Sequence, residues 1–330
     1  MNEKNASNKL ELRLALSRLE FLKLEEKLLL EEKCLSLKEL LSFSLDDIAI
    51  MIRRPLKTKI WPFINLENLV HRDILLMEKF KIGILHCKDE DYPPLLLQIY
   101  DPPYMLFYRG NAEILNTPAV GIVGSRHASV LGQKTTVKFA RSLADRNFTI
   151  VSGLAYGIDA CAHRGALCSS ESESGFPQNH RTVAVFACGV DSVYPKANTK
   201  LAVGILQNGG CIISEYAPGE AALPYRFLAR DRIISALSQA VVVMEAPPKS
   251  GSLITADFAI EQNRDLFFHK IALEHDLKLG DDFIKNLDAK TAAKMKEKRV
   301  SKYVEDGAYI VESVDEFLKA LFNKDNIENI

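Results

Sequence analysis

The 330-residue chain lacks any C-x-x-C pair among its six cysteines, and no H-E-x-x-H occurs among its seven histidines. Cys34, Cys87, Cys161, Cys168, Cys188 and Cys211 are scattered. That spacing builds neither a zinc knuckle nor a dithiol redox motif, so they read as reduced, mostly small core residues of a cytoplasmic protein. Metal chemistry is not expected. Long apolar runs are missing too: stretches such as Val183–Cys188 fall far short of the ~20 residues of a membrane-spanning helix. The opening Met1–Leu10 is polar, so no secretory leader is expected there. Nor is there an excess of either charge. With 42 basic and 43 acidic residues the net charge is -1, and any anion-binding site must be a local patch. What remains is ordinary globular composition, 47% hydrophobic and 26% charged, in a length suited to about two domains.

Residues 8–80 carry leucines at i, i+3 and i+4 among Glu and Lys, which predicts short packed helices. Residues 1–80 are therefore expected to form a small all-helical N-terminal domain. Residues 81–118 hold two Pro-Pro pairs, Pro93-Pro94 and Pro102-Pro103, and are expected to be an extended linker. From Ala119 the period changes. Apolar runs at 119–123, 148–152, 182–187, 211–214, 240–246 and 265–269 are short, rich in β-branched residues and apolar on both faces. Helical segments at 132–146, 158–167, 198–207, 230–237 and 252–263 separate them. Alternating strand and helix predicts an α/β fold over 119–322, a doubly wound, mostly parallel sheet, closed by a last strand and helix at 308–312 and 314–322. Residues 285–302 carry a surplus of five positive charges, to be read first as a solvated face and second as a basic strap over nucleic acid.

In such a sheet, ligands bind beyond the carboxyl ends of the strands. The strand-end loops here supply Gly124, Ser125 and Arg126; Gly153 and Tyr156; Lys196 and Asn198; and Lys249 and Ser250, with Arg230 and Arg232 expected at the head of a helix. A single glycine among these is as well explained by a tight turn. Glycines, hydroxyls and cations on five loops together point to a phosphate-binding rim. Dinucleotide and Walker signatures both fail: the first loop reads Gly121-Ile122-Val123-Gly124-Ser125-Arg126, and a glutamine intrudes in Gly132-Gln133-Lys134-Thr135. Asp159 and His163 at i, i+4 read as a helix cap with a space-filling histidine before they read as an acid–base pair.

These residues carry a resemblance. AVGIVGSRHASVLG (119–132), FTIVSGLAYGIDACAHRGAL (148–167), TVAVFACGVDSVYPKAN (182–198), CIISEYAPGE (211–220), FLARDRIISALS (227–238) and AVVVMEAPPKSGSLITADFAIEQNRDLF (240–267) are similar, in order, to signatures of the bacterial DNA-processing protein A (DprA, or Smf) family. The resemblance implies a Rossmann-like domain that binds single-stranded DNA without catalysing a reaction, uses no cofactor, forms a homodimer, and loads the recombinase RecA during natural transformation. It assigns DNA contacts to Arg126, with Ser125 beside it, and to Lys196, and it matches the family's arginine pair to Arg230 and Arg232. Tyr156 stands where the family is usually basic, and Asp231 where asparagine is usual. The segment after His269, to about residue 307, also departs from the pattern. The competing reading is a nucleotide-binding or phosphoribohydrolase-like enzyme, for which Ser250-Gly251-Ser252 and Glu261 are the candidate loop and acid, at too long a spacing.

Overall fold

The computed structural model describes residues 3–57, 65–168, 181–248, 250–285 and 298–322. Five helices open the chain: α1 (Glu3–Ser17), α2 (Leu24–Lys33), α3 (Leu37–Ser42), α4 (Leu45–Met51) and α5 (Leu66–Phe80). Serine caps start α3 and α4. Ser36 accepts the amide of Glu39, and Ser44 that of Asp47, whose carboxylate bonds back to the Ser44 amide. The helical expectation for this region holds.

The next segment departs from expectation. Residues 83–110 contribute β1 (Gly83–His86), the short helix α6 (Pro94–Leu97) and β2 (Met105–Gly110). β2 lies antiparallel to β6 (Cys211–Ser214), and β1 lies antiparallel to β2. The prolines punctuate instead of excluding order. Pro94 opens α6, where a missing amide costs nothing, and Pro102-Pro103 precede β2, whose own amides are all available to the ladder. The expected linker is thus a two-strand extension of the sheet.

The remaining strands are β3 (Ala119–Val123), β4 (Thr149–Ser152), β5 (Thr182–Val185), β7 (Ala240–Val243), β8 (Asp265–His269) and β9 (Tyr309–Val311). The nine strands run in the order β1-β2-β6-β5-β4-β3-β7-β8-β9, and all pairings from β6 to β9 are parallel. β3 to β7 are buried throughout, as strands covered on both faces must be. Helices α7 (Val130–Ala144), α8 (Ile158–Leu167), α9 (Thr199–Gln207), α10 (Pro224–Ala236), α11 (Ser252–Glu261), α12 (Lys270–Lys285), α13 (Val300–Glu305) and α14 (Val314–Phe322) cover it.

Two apolar layers sandwich the sheet. Phe139, Leu143, Ile158 and Phe317 from α7, α8 and α14 pack on one face with Val120, Ile122 and Val242. Ile233, Ile234, Leu253 and Ala272 from α10, α11 and α12 pack on the other, in a layer that also takes in the leucines of α1 to α3. Arg18, just past α1, fixes the N-terminal helices to the sheet by ion pairs to Asp73 on α5 and Glu220 beyond β6, both at 2.5 Å. No helix among the described residues is long and apolar enough to cross a membrane. Most of the basic stretch, residues 286–297, lies outside the described residues. Of its remaining described cations, Lys298 pairs with Asp257 (3.4 Å), Arg299 with Asp276 (3.3 Å) and Lys302 with Asp306 (2.7 Å).

Candidate nucleic-acid interface

Strand order fixes where a ligand can enter. The chain leaves β3 toward β4, then crosses back from β6 to β7 on β3's other side, so the loops after β3 and β7 diverge and leave a crevice. A cleft of about 300 Å³ lies there, lined by Gly124, Ser125, Arg126, Phe227, Arg230, Asp231 and the Ser250–Ser252 turn, among others. A second groove, of about 620 Å³, adjoins it on the other side of Arg126 and His127 and reaches Tyr156 and Arg164.

The loop after β3 is held by main-chain bonds. The amide of Ser125 donates to the carbonyl of Glu245 (2.6 Å), and its carbonyl accepts from Ile158 (3.1 Å). The Ser125 hydroxyl accepts the His127 amide (3.1 Å). Glu245 itself is fully buried and accepts from the amide and hydroxyl of Ser129, the N-cap of α7. A carboxylate at that helix start suits the dipole and locks the loop in place. Arg126 is left exposed, with its guanidinium 5.7 Å from the centre of the Phe227 ring. Phe227 in turn packs against Tyr194 at 5.3 Å. Tyr156 and Tyr194 are each about half exposed, at 50% and 53%. Lys196 is exposed on the turn after Tyr194-Pro195. Among the described residues, neither Arg126 nor Lys196 has a carboxylate within ion-pair distance.

Other expected contacts serve different ends. Asn198 is buried, and its amide donates to the carbonyls of Leu154 (2.9 Å) and Ala155 (3.3 Å), which shapes the loop after β4. Asp159 accepts the amides of Gly153 (3.2 Å) and Ala155 (3.3 Å) in that same loop. Arg230 is buried under the cleft. It donates to the carbonyl of Val185 (2.9 Å), pairs with Asp231 at 3.0 Å, and lies so close to Gly153 that a Cβ there would fall 1.6 Å from a guanidinium nitrogen. Arg232 is not brought to the cleft: it ion-pairs with Glu215 in a separate cavity beneath the N-terminal helices. The reason is helical geometry. Because α10 begins at Pro224, both arginines lie within the helix instead of at its head, and two residues apart they face opposite sides. Gly124 and Ser250 line the cleft, while Lys249 lies outside the described residues. Gly251, at the head of α11, would meet nothing within 4 Å if it bore a Cβ. Its bareness is not a packing need and leaves main chain open to a ligand.

Charge under the cleft is nearly balanced. Burial pushes the Asp159 carboxyl up, against the pull of Arg230 and two amides. Burial likewise lifts Asp231 to about 6, despite Arg230 and Arg126, with Asp159 adding to the rise. His163 is fully buried, with Nδ1 2.7 Å from the Thr182 hydroxyl, and burial depresses it to about 3, so it is a neutral spacer. Among the described residues no cluster of His, Cys, Asp or Glu could hold a metal ion.

Asp231 has a testable consequence for any polyanion bound above it. Ionised above about pH 6, it repels; as pH falls through that value it takes up a proton and the repulsion ends. At a separation of ~8 Å and an effective dielectric near 20 one such charge is worth about 2 kcal/mol, which salt screening roughly halves to about 1 kcal/mol, or about fivefold in affinity. A polyanion held there is therefore expected to bind more tightly at pH 5.5 than at pH 8, and Asp231→Asn to bind it more tightly at pH 8 with a flatter pH dependence, an oligothymidylate serving as the probe. The comparison is made in a His127→Gln background, since His127 shares the rim. Superimposable pH profiles would remove Asp231 from the electrostatics of the site.

The family model described as DNA recombination-mediator protein A matches residues 83–322. Among curated relatives, the DNA processing protein DprA of Streptococcus pneumoniae is 44% identical over 179 residues, 54% of this chain and 60% of that protein. Protein Smf of Synechocystis is 46% identical over 183 residues, 54% of this chain and 44% of that protein. The matches thus span 60% or less of these two relatives' lengths. The X-ray structure of DprA from S. pneumoniae superposes with a TM-score of 0.63 at 31% identity, covering 93% of this chain and 95% of that one. A DprA structure from Helicobacter pylori, whose subject is that protein's single-stranded DNA binding mode, gives 0.57 at 27% identity over 74% of this chain and 97% of the other. With its strand order, its switch-point cleft and a family match running from β1 to α14, the chain belongs to the DNA recombination-mediator protein A family.

Proposed function

We propose that the protein binds single-stranded DNA at the switch-point cleft and makes or breaks no bond in doing so. The observation that carries this reading is the exposed Arg126, without an acidic partner among the described residues, set beside Phe227 of α10 and near Tyr194 and Tyr156 on adjoining loops. A guanidinium holds phosphate through charge-assisted hydrogen bonds, and aromatic faces accept unpaired bases of any sequence at about 1–3 kcal/mol per base. Such a site reads the polymer's backbone and its unstacked bases and is indifferent to their order. The relative from H. pylori, described by its single-stranded DNA binding, supports the choice of polymer. The family's description as a recombination mediator supports a further step, delivery of the bound strand to a recombinase such as RecA by a cytoplasmic homodimer.

Hydrolase chemistry fits less well. Glu261 closes α11 whereas Ser252 opens it at the cleft, so about 13 Å of helix separates that carboxylate from the crevice. Anisotropy of a labelled oligothymidylate across 50–300 mM salt tests the reading. A log–log slope of about -2 to -3 is expected, from three or four phosphates at ~0.7 each. Saturable binding of mononucleotides with release of free base, and none of oligonucleotides, would replace it with the enzyme.

A further inference from the structure

The cleft and the groove beside it differ in charge. Asp159 and Asp231 both line the cleft and offset Arg126 and Arg230 there. The groove, about twice as large, is lined by Arg126, His127, Gln133, Tyr156 and Arg164 with no carboxylate among its lining residues. Arg164 sits in the last turn of α8 and is exposed, and no acid among the described residues lies within ion-pair distance. Ala160, Cys161 and Arg164 share the side of α8 that floors the groove, so a small-residue floor ends at a guanidinium. A polyanion entering the site meets a balanced crevice on one side of Arg126 and a purely cationic trough on the other.

We infer that the sugar–phosphate chain runs along this trough, with Arg126 its inner anchor and Arg164 its outer one, while bases turn toward the cleft and Phe227. This rests on the single-stranded DNA reading above and adds to it a backbone path and a second anchoring cation. From the start of α8 to Arg164 the helix rises about 9 Å, more than separates the two neighbouring phosphodiesters of a trinucleotide, so (dT)3 cannot seat one at each anchor whereas a longer strand can.

The test uses the full chain and labelled (dT)3 and (dT)12, with Arg164→Ala, Arg164→Lys and Arg126→Ala. Arg164→Ala is expected to lose about five- to tenfold in affinity for (dT)12 and less than twofold for (dT)3, and to reduce the salt slope on (dT)12 by ~0.7. Arg164→Lys keeps most of the affinity, because a phosphate contact needs the charge more than the fork. Unchanged thermal melting of Arg164→Ala confirms that only the surface has changed. Wild-type affinity of Arg164→Ala for (dT)12, alongside a loss in Arg126→Ala, would overturn the path and leave the cleft as the binding site. Equal losses on both lengths would overturn the outer-anchor assignment. Failure of the wild-type chain to bind (dT)12 would remove the reading on which the path rests.

Discussion

Replacing Arg126 with alanine is expected to weaken oligothymidylate binding by about 10- to 100-fold at 100 mM salt. The magnitude follows from a hydrogen bond to a charged group, about 1.5–3 kcal/mol, at 1.4 kcal/mol per tenfold. The loss should be the same for every sequence and should lower the salt slope by ~0.7, since a phosphate contact carries no base information. Folding should be unaffected. Arg126 is exposed and makes no ion pair among the described residues, and the loop beneath it is held by main-chain bonds from Ser125. Arg126→Lys should fall between the two, retaining charge while losing the guanidinium that lies over the Phe227 ring. Alanine binding as tightly as wild type in fluorescence anisotropy would show that the cleft is not where DNA is held.

The second large effect concerns shape. Gly157 has φ 73° and ψ -122°, a conformation in which a side chain is strained, and a Cβ would lie 2.2 Å from the carbonyl oxygen of Ser125 and 2.7 Å from that of Arg126. Those are main-chain atoms, so no rotamer change relieves the clash. The loop after β3 must move away and give up the bond from the Ile158 amide to the Ser125 carbonyl (3.1 Å). Strained backbone at about 1–3 kcal/mol and overpacking at a similar cost place Gly157→Ala about 3–5 kcal/mol below wild type in denaturant melts. The folded fraction should also bind DNA less tightly, because the displaced loop carries Arg126. Wild-type stability with wild-type binding would mean that the contact between the β3 and β4 loops does not set the site.

Sequence pattern revealed the sheet better than the site. β3 to β7 announced themselves as apolar runs because both of their faces are covered, which leaves no polar alternation to confuse the period. Strands β1 and β2 were hidden by prolines that turned out to lie between them. Arg126 was legible because a cation directly after a buried strand has only the carboxyl edge to occupy. Arg230 and Arg232 were not, since their directions depend on where α10 begins. Pro224 marks that start as a first-turn proline and could have placed them. Asn198 looked like a ligand contact because it follows Lys196 on a strand-end loop, yet its amide is consumed by two carbonyls. Glu245, buried and holding the start of α7, carried no sequence signal beyond an acid in an apolar run. The roles of Asn198 and Glu245 are set by contacts across 44 and 116 residues of sequence, which local pattern does not report.

Photo-cross-linking of a 5-iodouracil-substituted oligothymidylate, followed by peptide mapping, tests most directly whether unpaired bases lie against the aromatic rim around Arg126. Adducts are expected on Tyr156, Tyr194 or Phe227, and they should vanish in Arg126→Ala at concentrations where wild type cross-links. Adducts confined to the N-terminal helices or to peptides from residues 285–302, with the rim unmodified, would contradict it.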